Sequence, residues 1–93
     1  MKTLQIAIID DNLRDLNVIV SNLEDIVIKN FSGMKVQIEK YLCPLDYFST
    51  AKNYDLILLD YELPNMNGTL VAERINKSNS TAKIIFVSGY KNL

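Results

Sequence analysis

The chain has 93 residues, room for one small domain that buries only about 60% of its unfolded surface. Hydrophobic residues make up 48% and charged ones 23%, a balance that argues against disorder, and a formal net charge of −1 gives no basis for nonspecific attraction to nucleic acid or anionic lipid. The lack of histidine removes Ser-His and Cys-His nucleophile pairs and His-ligated zinc, which leaves carboxylate oxygens as the strongest candidates for chemistry.

The apolar stretches are strand-sized, well short of the roughly 20 residues of a membrane span, and the N-terminus carries no signal-peptide core with a cleavage site. A cytoplasmic protein with no membrane contact is expected. Residues 4–9, Leu-Gln-Ile-Ala-Ile-Ile, read as a buried strand that ends at Asp10-Asp11-Asn12. Asp11 or Asn12 is a natural cap for the helix that follows. Leu13, Leu16, Val20, Leu23 and Val27 recur at helical spacing, with Ile19 and Ile26 widening the stripe, so a long amphipathic helix is predicted to pack on a sheet. Residues 30–33 break it, and residues 34–41 alternate with period two and carry lysines, the pattern of an edge strand. Lone Cys43, between Leu42 and Pro44, cannot form an internal disulfide and reads as buried packing. Pro44 suits the first turn of a short helix carrying Leu45 and Phe48 and stopping near Lys52-Asn53.

Residues 56–59 form a continuous apolar run of the kind covered on both faces in a parallel sheet, and the run delivers Asp60 at its end. Pro64 and Asn67-Gly68 mark the loop before a third helix, whose expected buried side is Leu70, Val71 and Ile75 and which Ser78-Asn79-Ser80 closes. Residues 83–87 are a last apolar strand ending at Ser88-Gly89, with the composition of an interior strand although the chain runs only six residues further. Strands and helices alternate throughout, which predicts an α/β fold with a parallel sheet.

Three of these strands end in oxygen-bearing residues, Asp10-Asp11, Asp60 and Ser88. In a parallel sheet such ends share one edge, with neighbouring strands about 4.8 Å apart, and in open α/β sheets ligands bind there. Converging carboxylates repel one another. A hard divalent cation such as Mg²⁺, which takes one or two carboxylates with waters and a phosphate, relieves that repulsion, and the backbone carbonyl of Glu62 offers a further oxygen.

Asp10-Asp11, the segment Leu58-Leu59-Asp60-Tyr61-Glu62-Leu63-Pro64-Asn65-Met66-Asn67-Gly68 and Val87-Ser88-Gly89-Tyr90 together resemble the receiver domain of two-component response regulators. The resemblance spans essentially the whole chain. It implies a flavodoxin-like (CheY-like) three-layer open sheet of strand order 2-1-3-4, a phosphoacceptor role for Asp60, direct Mg²⁺ ligation by Asp11 and Asp60, and a metal-bound water held by Asp10. Ser88 would bond the phosphoryl oxygen, a sensor histidine kinase would be the donor, and the output would be a transcriptional effector attached downstream.

One departure from the family pattern bears on function. Receivers continue into a fourth helix, a fifth strand ending in a lysine that pairs with the phosphoryl group, and a fifth helix, so residues 1–93 are expected to be an incomplete receiver domain with impaired phosphoryl capture. Lys91 lies in the loop after Ser88, and Lys83 begins the fourth strand at the end away from the site. The bare edge of that strand is then expected to recruit a partner, such as a second copy.

Alone, Asp10-Asp11 reads as a helix cap, and Asp60 or Ser88 as a turn residue. Acidic groups at sister strand ends shift that reading toward a ligand set. Two alternatives stand beside the phosphoacceptor: a noncatalytic truncated receiver acting as a dimerisation module, and a Mg²⁺-dependent phosphatase with Asp60 as nucleophile. The phosphatase ranks last, because Asp60-Tyr61-Glu62 supplies no second aspartate acid.

Overall fold

The computed structural model describes residues 3–30, 33–50, 52–60, 67–79 and 81–87. In chain order these form β1 (Thr3–Ile9), α1 (Leu13–Asn30), β2 (Lys35–Tyr41), α2 (Pro44–Phe48), β3 (Leu56–Asp60), α3 (Gly68–Ser78) and β4 (Lys83–Val87). The described strands make one parallel sheet in the order β2-β1-β3-β4. This is the expected flavodoxin-like arrangement, with β2 on an edge.

Period-two geometry turns alternate residues of a strand to opposite faces, and β1 shows how an almost uninterrupted apolar run uses both. Ile6 and Ile8 pack with Leu16 and Ile19 of α1 and with Leu58, with Val20 and Leu23 adding to that side. Ala7 and Ile9 turn the other way, joining Ile57, Leu59, Tyr47 of α2, and Val71 and Ile75 of α3. The sheet is therefore the middle of three layers. Of the predicted α1 stripe, the side chains of Leu13, Ile26 and Val27 lie outside the described residues.

The helix ends follow from local polar chemistry. Asn12 accepts the Asp15 N–H on its Oδ1 at 3.1 Å and the Leu16 N–H on its carbonyl at 3.0 Å, so Asn12 is the residue that caps α1. Gly33 sits at φ +92° in the turn into β2, a conformation that side chains with a Cβ rarely adopt. Asn67 caps α3 by accepting the Thr69 N–H at 2.8 Å. At the other end of α3, Asn79 donates from Nδ2 to the Tyr54 carbonyl at 3.2 Å, tying that terminus to the entrance of β3.

Two expectations are corrected. Leu70 is 62% exposed, and the inward positions of α3 are Gly68, Val71 and Ile75, while on α2 they are Pro44 and Tyr47. On α3 the positions 68, 71 and 75 complete the helical stripe, and Leu70 falls a quarter-turn outside it. Also, α2 ends at Phe48, several residues earlier than expected, where Ser49 and Thr50 hydroxyls bond the Asp46 and Tyr47 carbonyls at 2.8 Å. As the order 2-1-3-4 implies, β4 lies at the border of the described sheet despite its interior-type composition, and its Ile85 and Phe86 are exposed while Ile84 and Val87 pack inward.

A buried side chain on β3 and an exposed one on α3 should respond oppositely to truncation. Ile57→Ala is expected to lose about 2–5 kcal/mol of unfolding free energy, whereas Leu70→Ala should stay within about 0.5 kcal/mol of the parent. Urea denaturation of the two variants checks this.

Candidate functional site

The β1–β3 ladder pairs Ile9 with Leu59, so the next residue along each strand, Asp10 and Asp60, falls at the same sheet edge on neighbouring chains. Asp11 follows Asp10 before α1 begins. Carboxylate oxygens of Asp10, Asp11 and Asp60 lie within 4.8 Å of one another. Asp10 and Asp60 are 4% and 6% exposed, and Asp11 is open to solvent.

Asp10 is fixed through both its backbone and its side chain. Its N–H donates to the Tyr41 carbonyl at the end of β2 at 3.0 Å, and its Oδ1 accepts the Asn12 N–H at 2.9 Å. Burial pushes the Asp10 carboxyl up to about 6; the Asn12 N–H works against this, while the charges of Asp60 and Asp15 and a side-chain hydrogen bond with Asp60 push the same way. Below about pH 6, then, a proton on Asp10 can serve the hydrogen bond between the two buried carboxyls. A divalent cation would offset the repulsion with more charge and would favour the ionised form of Asp10. The donor set is all oxygen, lacks thiolate and imidazole, and has one solvent-facing member for exchange. It suits a hard cation.

The structure thus brings together three of the residues singled out from sequence: Asp10, Asp11 and Asp60. The predicted Glu62 carbonyl, Ser88 and Lys91 lie outside the described residues. Lys83 is the first residue of β4, and its N–H bonds the Asp55 carbonyl at 3.0 Å, which places it at the opposite edge as expected. Cys43 is half-buried rather than buried. Sequence reasoning missed Asp15 and Tyr41. An acidic residue in the first turn of a helix is ordinary dipole chemistry, which hides Asp15. Tyr41 acts through its carbonyl, and a carbonyl leaves no signal in residue identity.

Residues 6–93 match the family described as the response regulator receiver domain. The chain belongs to that family. None of the curated proteins matches it in sequence. Among solved structures, the BeF3-activated DrrB receiver domain superposes with a TM-score of 0.76 at 18% identity, over 95% of this chain and 67% of that one, a likeness of fold; DrrB is a Thermotoga maritima OmpR/PhoB homologue. The Thermotoga maritima response regulator TrrA, in complex with Mg²⁺-BeF, gives a TM-score of 0.73 at 28% identity over 97% of this chain and 71% of that one. TrrA in complex with the histidine kinase ThkA gives 0.67 at 27%, with the same coverage. No described helix of this receiver is long and apolar enough to cross a membrane.

The raised Asp10 value has a definite sign. Below about pH 4, Asp10 is protonated folded and unfolded alike; between about 4 and 6 the folded receiver keeps a proton that the unfolded chain has released. Its contribution to stability therefore falls as pH rises through that window, by about 3 kcal/mol when complete. Denaturation profiles without divalent metal should show this decline in the parent and not in Asp10→Asn, and Mg²⁺ should restore parent stability near pH 7.

Proposed function

We propose that this receiver takes a phosphoryl group on Asp60, with Asp10 and Asp11 supporting a Mg²⁺ ion beside it. The observation that carries the reading is the meeting of three carboxylates from two neighbouring strand ends. TrrA, the relative solved both with Mg²⁺-BeF and with a histidine kinase, supports Mg²⁺ as the cation and a sensor histidine kinase as the phosphodonor. Residues 1–93 would make up most, not all, of such a domain, and a transcriptional effector remains the output we infer for the intact protein.

In this reading a carboxylate oxygen of Asp60 attacks phosphorus, forming an acyl phosphate. The bond from phosphorus to the donor's imidazole nitrogen breaks, and its electron pair stays on that nitrogen. When bound, the cation neutralises phosphoryl oxygens and keeps the carboxyls ionised. The chain's own part is positioning: the ladder fixes Asp60, and Tyr41 and Asn12 fix Asp10. The Glu62 carbonyl and the Ser88 hydroxyl are the proposed further ligand and phosphoryl contact. The test is acetyl phosphate with Mg²⁺, read by intact mass. A phosphoryl-sized gain is expected in the parent and absent from Asp60→Asn, with Asp11→Asn lowering the yield about tenfold or more. A gain that survives Asp60→Asn would refute the assignment.

The exposed Ile85 and Phe86 on the bordering strand β4 favour a second reading, self-association through β4, since an apolar strand edge invites pairing. Sedimentation velocity should then show a concentration-dependent dimer that Ile85→Lys disperses. A strict monomer at high concentration removes this reading.

A further inference from the structure

Hydrophobic pattern does not by itself set the register of β3 against β1. A strand with one polar face resists a one-residue slip, because the slip turns its apolar side chains to water. Here alternate residues of both strands are buried, Ile6 and Ile8 with Leu58 on one side of the sheet and Ala7 and Ile9 with Ile57 and Leu59 on the other. A slip would exchange one apolar residue for another. At the acidic edge Asp10 and Asp60 repel when ionised, which opposes their alignment. The polar contact that keeps Ile9 opposite Leu59 lies at the other end of the strands.

Asp55, the residue before β3, supplies that contact. Its N–H donates to the Gln5 carbonyl at 2.8 Å, and its Oδ2 accepts the Gln5 N–H at 2.8 Å. Both main-chain groups of one β1 residue thus end on a single residue, at the pair next outward from Ile6 and Leu56. The preceding carbonyl, that of Tyr54, accepts Asn79 Nδ2 at 3.2 Å, while the Gln5 N–H is met by a side-chain oxygen rather than by main chain. The Asp55 carbonyl in turn accepts the N–H of Lys83, the first residue of β4, at 3.0 Å. One residue therefore joins β1, β3 and β4 at their starts. A slip by one position would carry Oδ2 about 3.3 Å along the strand and break its bond to Gln5.

We propose that Asp55 is a positioning residue: its two bonds to Gln5 set the β1–β3 register and, through the ladder, bring Asp60 level with Asp10 at the far end of the strand, about 16 Å away. The consequence for phosphoryl chemistry rests on the phosphoacceptor reading above; the clamp itself does not. Three variants of the isotope-labelled 93-residue chain test it by NMR: Asp55→Ala, Asp55→Asn, which keeps a side-chain oxygen, and Val71→Ala, which empties a buried position on α3 away from the clamp. Asp55 is open to solvent, so its truncation leaves the core filled. Cross-strand NOEs report the register, amide exchange reports the Gln5 bond, and titration with Mg²⁺ reports the acidic edge. Asp55→Ala should show a second, offset set of β1–β3 NOEs, Gln5 exchange about tenfold faster and Mg²⁺ affinity about threefold weaker or more. Asp55→Asn should stay near the parent on all three measures. Val71→Ala should lose more stability toward urea than Asp55→Ala yet keep the parent NOEs and Mg²⁺ affinity, which separates positioning from a general loss of stability. Parent NOEs in Asp55→Ala, no recovery in Asp55→Asn, or an equal register change in Val71→Ala would overturn the proposal. A parent chain that binds no Mg²⁺ would instead count against the phosphoacceptor reading, and the NOEs would decide the clamp alone.

Discussion

The pairing of β1 with β3 is the constraint on which the site depends. Once Ile9 stands opposite Leu59, the carboxylates of Asp10 and Asp60 must share a strand end, because neighbouring strands lie only about 4.8 Å apart. Two such groups with little solvent do not gather by mutual attraction. They are held by Ile6, Ile8, Ala7, Ile9, Ile57 and Leu59, whose burial against α1 on one face and α2 and α3 on the other stabilises the ladder by far more than the repulsion costs. The apolar run and the acidic end of each strand are one device, in which the first part imposes the position of the second.

A parallel sheet has two chemically different edges, and this chain gathers different side chains at each. The edge where strands end gathers Asp10, Asp11 and Asp60. The edge where β3 begins gathers Lys52, Asn53, Arg74 and Ser78. Tyr41 touches both systems. Its carbonyl accepts the Asp10 N–H, and its phenol oxygen bonds Glu39 and Tyr54, with Glu39 in turn paired to Lys52. Edge-to-face contacts of Tyr41 with Tyr47 and Tyr54 lock this side of the core, and burial together with the Tyr41 bond holds the Tyr54 phenol well above its ordinary range, so it remains a neutral hydrogen-bonding group at physiological pH.

Strand identity and order of elements were legible because uninterrupted apolar runs, capped by Asp, Asn or Gly, have few other physical solutions. Asp10, Asp11 and Asp60 were legible as a set because a parallel sheet puts all strand ends of one sense on one edge; the strand order that makes two of them neighbours came from the family resemblance. Leu70 was misplaced for a different reason. An apolar residue identifies a helix as amphipathic, but which of two adjacent apolar residues faces inward depends on the rotation set by tertiary contact, here through Val71 with Ile75. The tyrosine cluster had no periodic signal at all. Its members come from β2, α2 and the segment before β3, and only the fold brings them together.

The choice between a structural and a chemical role for Asp10 turns on what the local turn requires. Capping of α1 is already supplied by Asn12 through the Asp15 N–H. The turn itself uses one side-chain oxygen at position 10, which accepts the Asn12 N–H, and an asparagine provides that oxygen without a titrating group. A carboxyl there adds nothing to the turn. It adds instead a buried acid pushed up to about 6 by burial and by Asp60 and Asp15, in a domain whose total stability is expected to be only about 5–15 kcal/mol. A group so costly to ionise suits a ligand that favours the ionised form, and a hard cation beside the Asp60 carboxylate would be such a ligand. In the proposed reading the same cation would let Asp60 accept further negative charge at a site crowded with carboxylates, so the features that make the acidic edge unfavourable to folding would be the ones that serve phosphoryl transfer.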